Sequence, residues 1–174
     1  DKLLAEINRI GEGYNFSNDF IMRTCLYVLD MSVTLKVETF KKESVLKIKN
    51  NWENIRKTIK DTVDLLNEFG FNSENIISYV AVSPMVYYRF KGGNFDAESK
   101  SELRKYIVIS QVRQVFGAAT NSAITSIREA LKAAPTDSFK MGNLLKVRFT
   151  GERTLRYTSE AIDALFATSA FCAY

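Results

Sequence analysis

The chain has 174 residues, a net charge of +4 and a pI near 9.0, with 46% apolar and 25% charged residues. These are the proportions of a single globular domain that can bury a core without disulfide or metal staples. The chain contains no histidine, which excludes within these residues a Ser-His-Asp triad, a Cys-His pair, a histidine metal site and an HNH-type nuclease motif.

The opening stretch "DKLLAEINRIG" has acids where a secretory leader would be cationic, so no signal peptide is expected. Its apolar spacing predicts a short helix over 1–10, followed by the loop "GEGYNF". Ser17 is placed to cap a second helix through about Met31, with Ile21, Cys25 and Val28 on one face. The longest helix is predicted over 41–69. Val45, Ile48, Trp52, Ile55, Ile59, Leu66 and Phe69 recur at 3 and 4 spacing, interrupted only at Thr62. Such a seam predicts one face buried along the whole length, with Trp52 in the core. Gly70 is the residue expected just past its end.

Residues 76–91, "IISYVAVSPMVYYRFK", form an almost uncharged run. With Ser73 as its cap, the run reads as a helix apolar on nearly every side, hence one surrounded by other helices. Pro84 inside it predicts a kink or break. Only about 15 residues lie between Glu74 and Arg89, against roughly 20 for a membrane span, so no membrane partner is expected. A charge placed in a run of this kind, as in Val80→Asp, is expected to collapse the fold. Tyr79, Tyr87, Tyr88 and Phe90 are read as core packing before base stacking.

"KGGNFD" reads as a loop. Asp96 caps the next helix, to about Phe116, where Gly117 breaks it. A further helix over 121–134 sets Ile124, Ile127 and Leu131 on one face and is stopped by Pro135. Residues 139–157 alternate apolar and basic, and both a helical turn and a small hairpin near 145–157 fit them. A last helix from Ser159 presents Ile162, Leu165 and Phe166. Cys25 and Cys172 lie in apolar settings, without a CxxC pair, and read as reduced thiols of a cytoplasmic protein; a disulfide between them would join the two ends of the chain. The fold class is therefore all-α: a compact single domain of six to seven helices around a buried, kinked central helix. The chain begins at Asp1 and ends in "ALFATSAFCAY", and both ends are expected to be cut from a longer protein.

Charge is distributed unevenly. Residues 36–60 hold eight lysines and arginines against three acids; residues 61–88 hold four acids and no base; residues 128–156 hold seven bases against three acids. Lys42, Lys49 and Arg56 repeat every seven residues and Lys60 follows four later, which makes a basic stripe roughly opposite the apolar seam. Such a stripe, with Lys146 and Arg148 further on, suits nucleic-acid phosphates, because each neutralised phosphate releases counterions. A solvated helix face, supported by Glu53 four residues before Lys57, is the simpler reading and is preferred at this point. Asp61, Asp64 and Glu68 share one helix face, but no histidine or second acidic helix joins them as a metal site. Ser83 lacks the glycines of a nucleophile elbow, and "KGG" lacks the spacing of a phosphate loop. No catalytic residue, metal or cofactor is expected.

The blocks "NDFIMRTCLYVLD" and "LKVETFKKESVLKIKNNWENIRKTIKDTVDLLNEFGF" resemble the helical middle region of the GmrSD-type family of modification-dependent restriction proteins. "ENIISYVAVSPMVYYRFKGG" and "LRKYIVISQVRQVFGAATNSAITSIREAL" resemble the blocks that follow there, so the resemblance covers roughly Asn18 to Leu131. The family's chemistry lies in a ParB-like module before this region and an HNH nuclease module after it. No residue of those motifs has a counterpart here. The resemblance implies a non-catalytic middle domain whose partners are the flanking modules of the same polypeptide, in a DNA-restriction, phage-defence context. DNA contact rests on the basic stripe alone. The second expectation is a scaffold or adaptor with no nucleic-acid contact, its basic face docking an acidic surface.

Overall fold

The computed structural model describes residues 2–117, 119–134, 137–151 and 153–156. Six α-helices follow in order: α1 (Lys2–Ile7), α2 (Asn18–Val28), α3 (Lys42–Glu68), α4 (Ser83–Phe90), α5 (Ala97–Val112) and α6 (Thr120–Lys132). Single 3-10 turns occupy Val37–Thr39, Tyr79–Val82 and Met141–Leu144. Among the described residues there is no strand, so the stretch after Leu144 carries no hairpin ladder there; Arg156 Nε reaches back to the Leu145 carbonyl at 3.3 Å instead. Pro135, Cys172 and the helix expected from Ser159 lie outside the described residues. No helix among the described residues is long and apolar enough to cross a membrane.

Helix starts follow the local chemistry. Ser17 Oγ accepts from Phe20 N at 3.3 Å and opens α2, and Asp96 accepts from Ser99 N at 2.7 Å to open α5. Both fill one of the donors a first turn leaves unpaired. Four of the helix ends share one device. After α3, Gly70 N donates to Asn67 O and Phe71 N to Leu66 O, both at 3.0 Å, with Gly70 at φ +83°; the αL residue turns the chain while the last carbonyls stay paired. Gly92 ends α4 in the same way, with Gly93 N on Tyr88 O at 3.0 Å. Asp30 (φ 59°) after α2 and Gln114 (φ 47°) after α5 take the same conformation without being glycine. Gln114 thus ends α5 at Val112, before the Phe116 expected from the pattern.

The central apolar run is two pieces and not one helix. Asn72 Oδ1 accepts from the amides of Glu74 (2.9 Å) and Asn75 (3.3 Å), and Asn75 Nδ2 donates to Gly70 O at 2.9 Å. These side chains compete with helical hydrogen bonding. Gln111, wholly buried on α5, then receives the amides of Ile77 (3.0 Å) and Ser78 (2.7 Å) and donates to Ser78 O at 3.1 Å. It holds the segment as a neighbouring strand would. The α-helix begins only at Ser83, with Pro84 in its first turn, where the missing N–H costs nothing. The expected kink is therefore a 3-10 turn, Tyr79–Val82, that leads directly into Ser83, with the non-helical backbone ending at Ser78.

Every residue of α4 from Ser83 to Tyr88 is buried, and α4 packs against α2, α3 and α6. The polar atoms it carries inward are paired. Thr24 and Ser83 share a hydrogen bond of 2.9 Å across α2 and α4. Tyr87 OH donates to Asp30 at 3.1 Å, and Tyr88 OH donates to Asn94 O and meets Ser99 Oγ, each at 3.0 Å. Tyr87 and Tyr88 are core residues, as their spacing suggests, whereas Tyr79 and Phe90 lie half-buried against the core.

The C-terminus of α2 is a junction of three helices. Asp30 binds Lys91 at 2.7 Å, beyond α4, and Lys132 at 3.1 Å, on α6. Arg128, 6% exposed, donates to Met31 O at 2.8 Å and lies over the Tyr27 ring at 5.2 Å. Cations at a helix C-terminus complement its dipole. Burial pushes the Asp30 carboxyl upward, but hydrogen bonds from Lys91 and Lys132 outweigh it and hold its pKa below the usual range.

Three substitutions test this account of stability. Pro84→Ala should change it by less than about 1 kcal/mol, because Pro84 interrupts no helix interior. Val80 is only half-buried, so the damaging position for a charge is Val86, 0% exposed: Val86→Asp should cost several kcal/mol and abolish the cooperative melt followed by circular dichroism. Asp30→Asn should lower stability by about 1 kcal/mol at neutral pH, since the lost pairs are partly solvated. A depressed carboxylate stabilises above its unfolded value of about 3.9 and loses that contribution as pH falls through its folded value. The gap between wild type and Asp30→Asn should therefore close in acid melts below pH 4; a constant gap would contradict the pairing.

Candidate nucleic-acid interface

The basic stripe belongs to α3, a helix of 27 residues. A heptad step drifts only about 20° around a straight helix, so Lys42, Lys49 and Arg56 follow one another along one side. From Lys42 to Lys60 the rise is about 27 Å. Lys42, Lys49 and Lys60 are exposed and make no ion pair among the described residues. Lys57 on the same helix and Lys41 at its N-cap, which the heptad count passes over, are further exposed cations.

Arg56 differs from its neighbours. Its guanidinium donates to both carboxylate oxygens of Glu6 at 3.0 Å, a two-point contact that ties α1 to α3. The hydrogen bond from Arg56 holds the Glu6 carboxyl below its ordinary pKa, and Glu6 raises Arg56 in turn. Glu53 also turns to Arg56, at 3.9 Å, and not to Lys57 four residues on. Arg56 is thus engaged within the fold, and the free charge of the stripe rests on the lysines.

Lys146 and Arg148 are exposed, also without an ion pair among the described residues. They follow the 3-10 turn Met141–Leu144, which packs on α5 and α6, whereas α3 packs on α4, α2 and α1. The two basic groups are carried by separate parts of the fold.

The second half of the α3 seam is buried as expected, from Ile55 through Ile59, Val63 and Leu66. The first half is not. Val45 is 48% exposed, and Ile48 and Trp52 are covered on one side only. Trp52 therefore stands at the edge of the core and not inside it. On the opposite charge, Asp61 accepts from Arg89 at 3.2 Å and Glu68 from Lys100 at 2.6 Å. Among the described residues no acidic or cysteine cluster is placed to hold a metal. The shallow cleft beside Tyr87, Tyr88 and Phe139 carries Lys91 and Lys140, but each amine is already bound, to Asp30 and to Glu98. Cys25 is a buried free thiol whose pKa burial pushes up to about 12, far from a reactive thiolate.

What this surface offers chemically is cations along a line, with partly exposed apolar area at one end. No family model and no curated protein matches this sequence. The likeness to GmrSD-type proteins thus rests on the sequence blocks that carry it.

Glu6→Gln should release the Arg56 guanidinium. Peptide-resolved mass spectrometry after treatment with a dicarbonyl arginine reagent should show faster modification of Arg56 in that variant than in the wild type. Equal rates would mean that the pair does not hold in solution.

Proposed function

We propose that this chain is a non-catalytic helical module of a GmrSD-like DNA-restriction protein, which positions ParB-like and nuclease modules and contacts duplex DNA through α3. The observation that carries the DNA contact is the row of exposed lysines, Lys42, Lys49 and Lys60, without an ion pair among the described residues, on one helix anchored by the buried seam of its C-terminal half. Lysines held at fixed spacing on a helix can neutralise successive phosphates without reading base edges. Sequence-independent affinity with a steep salt dependence is the expected behaviour. The placement between two active modules rests on the order and length of the sequence blocks that resemble that family.

The test is a salt titration of binding to a duplex of mixed sequence. The log–log slope should lie near −0.9 per phosphate contacted, with three contacts from α3. Lys49→Glu with Lys60→Glu should flatten the slope by about 2 and leave the melting curve unchanged, because both side chains are exposed. Arg56 is not used in the test, since its loss would also break the contact with Glu6. No binding at low salt, or an unchanged slope in the double variant, would remove DNA from this surface and leave the positioning role.

A further inference from the structure

We propose that the N-terminal half of α3 is the seat for an acidic amphipathic helix of a partner polypeptide, which packs on Val45, Ile48 and Trp52 and pairs with the lysines beside them. The apolar seam does not end where its cover ends. Val45, Ile48 and Trp52 continue, at 3 and 4 spacing, the row that Ile55 and Ile59 bury completely. Val45 is 48% exposed and Val37, in the 3-10 turn just before the helix, 88%. Next to this open stretch stand Lys41, Lys42 and Lys49, all exposed and without an ion pair among the described residues; of the lysines in this half, Lys47 pairs with Glu43, at 3.3 Å.

The combination selects its occupant. Duplex DNA satisfies the lysines but covers no aliphatic or indole surface with its phosphates. A second copy of the same half-helix would cover the apolar residues but bring Lys41, Lys42 and Lys49 against their own equivalents, and like charges in apposition are repelled. A helix with apolar residues at i, i+3 and i+7 flanked by glutamates or aspartates meets both demands at once, as helices docked into apolar grooves do. Lys42 to Trp52 rises about 15 Å, three turns, which sets the length of partner helix that can be read. Lys42 and Lys49 then belong to two surfaces, so partner and DNA exclude each other; that exclusion, though not the docking itself, rests on the DNA reading above.

Trp52 is the only tryptophan in the chain and lies in the seat, so its emission reports occupancy directly. The full chain is titrated with a synthetic 18-residue peptide that has leucines at helical 3 and 4 spacing and glutamates on the flanking positions. The expected result is a saturable blue shift of Trp52 emission that weakens with salt. Val45→Glu, at an exposed position, should weaken it at least tenfold with an unchanged melting temperature. Absence of a shift, or an equal shift with an all-glutamate peptide, overturns the proposal. So does a shift that appears with rising protein concentration alone, which would mark a second copy as the occupant. Duplex DNA is then added to the peptide complex. Its failure to bind the free chain would remove the DNA reading while the Trp52 titration still decides the docking.

Discussion

The constraint on which the rest depends is the burial of α4 from Ser83 to Tyr88. A helix stretch apolar on every side can exist in water only if other elements cover it, and α2, α3 and α6 pack against Ser83–Tyr88, all of which are buried. Enclosure also removes solvent from its polar atoms, so each must be paired inside the protein. Ser83 reaches Thr24, Tyr87 reaches Asp30, and Tyr88 reaches Ser99 and Asn94. Those bonds fix where α2 and the start of α5 stand relative to α4. The same demand places Tyr106 OH on the carbonyl of Ala81 at 3.0 Å, which ties α5 to the turn that leads into the central helix.

A second consequence appears at the helix ends. Four helices close with an αL residue, and two of those residues are not glycine. Asp30 accepts that conformation, which short polar side chains tolerate best, and its carboxylate gathers Tyr87, Lys91 and Lys132. The local backbone cost is offset by contacts that no glycine could make. Arg128 completes the same junction by donating to the carbonyls of Tyr27 and Met31. Helix termination and tertiary assembly are here one structure.

The two halves of α3 show how one repeat can serve two purposes. Its C-terminal half is a wall of the core, and its N-terminal half extends past the helices that cover it. Rigidity is transmitted along a continuous helix, so the open half is held in place by the buried half. That is what makes the exposed lysines, the exposed Val45 and the half-covered Ile48 and Trp52 a fixed array and not a loose collection of side chains.

Read without coordinates, the chain already determines its helices where they are governed by near neighbours. The 3.6 periodicity, the caps at Ser17 and Asp96 and the stop at Gly70 are local chemistry, acting over one or two turns, and the helices follow them. The burial of Tyr87 and Tyr88 is legible for the same reason, as apolar residues on all sides leave no face for water. The position of the stripe lysines on one helix face is equally local. Tertiary structure alone decided the rest. Gln111 replaces helical hydrogen bonds for Ile77 and Ser78 from more than thirty residues away, Glu6 captures Arg56 from fifty residues away, and among the described residues the cover over the α3 seam thins at Trp52 and Ile48 and leaves Val45 exposed. Periodicity states which side of a helix is apolar, but not whether another element arrives to cover it. That depends on the length and placement of distant helices, and a local pattern carries no information about them.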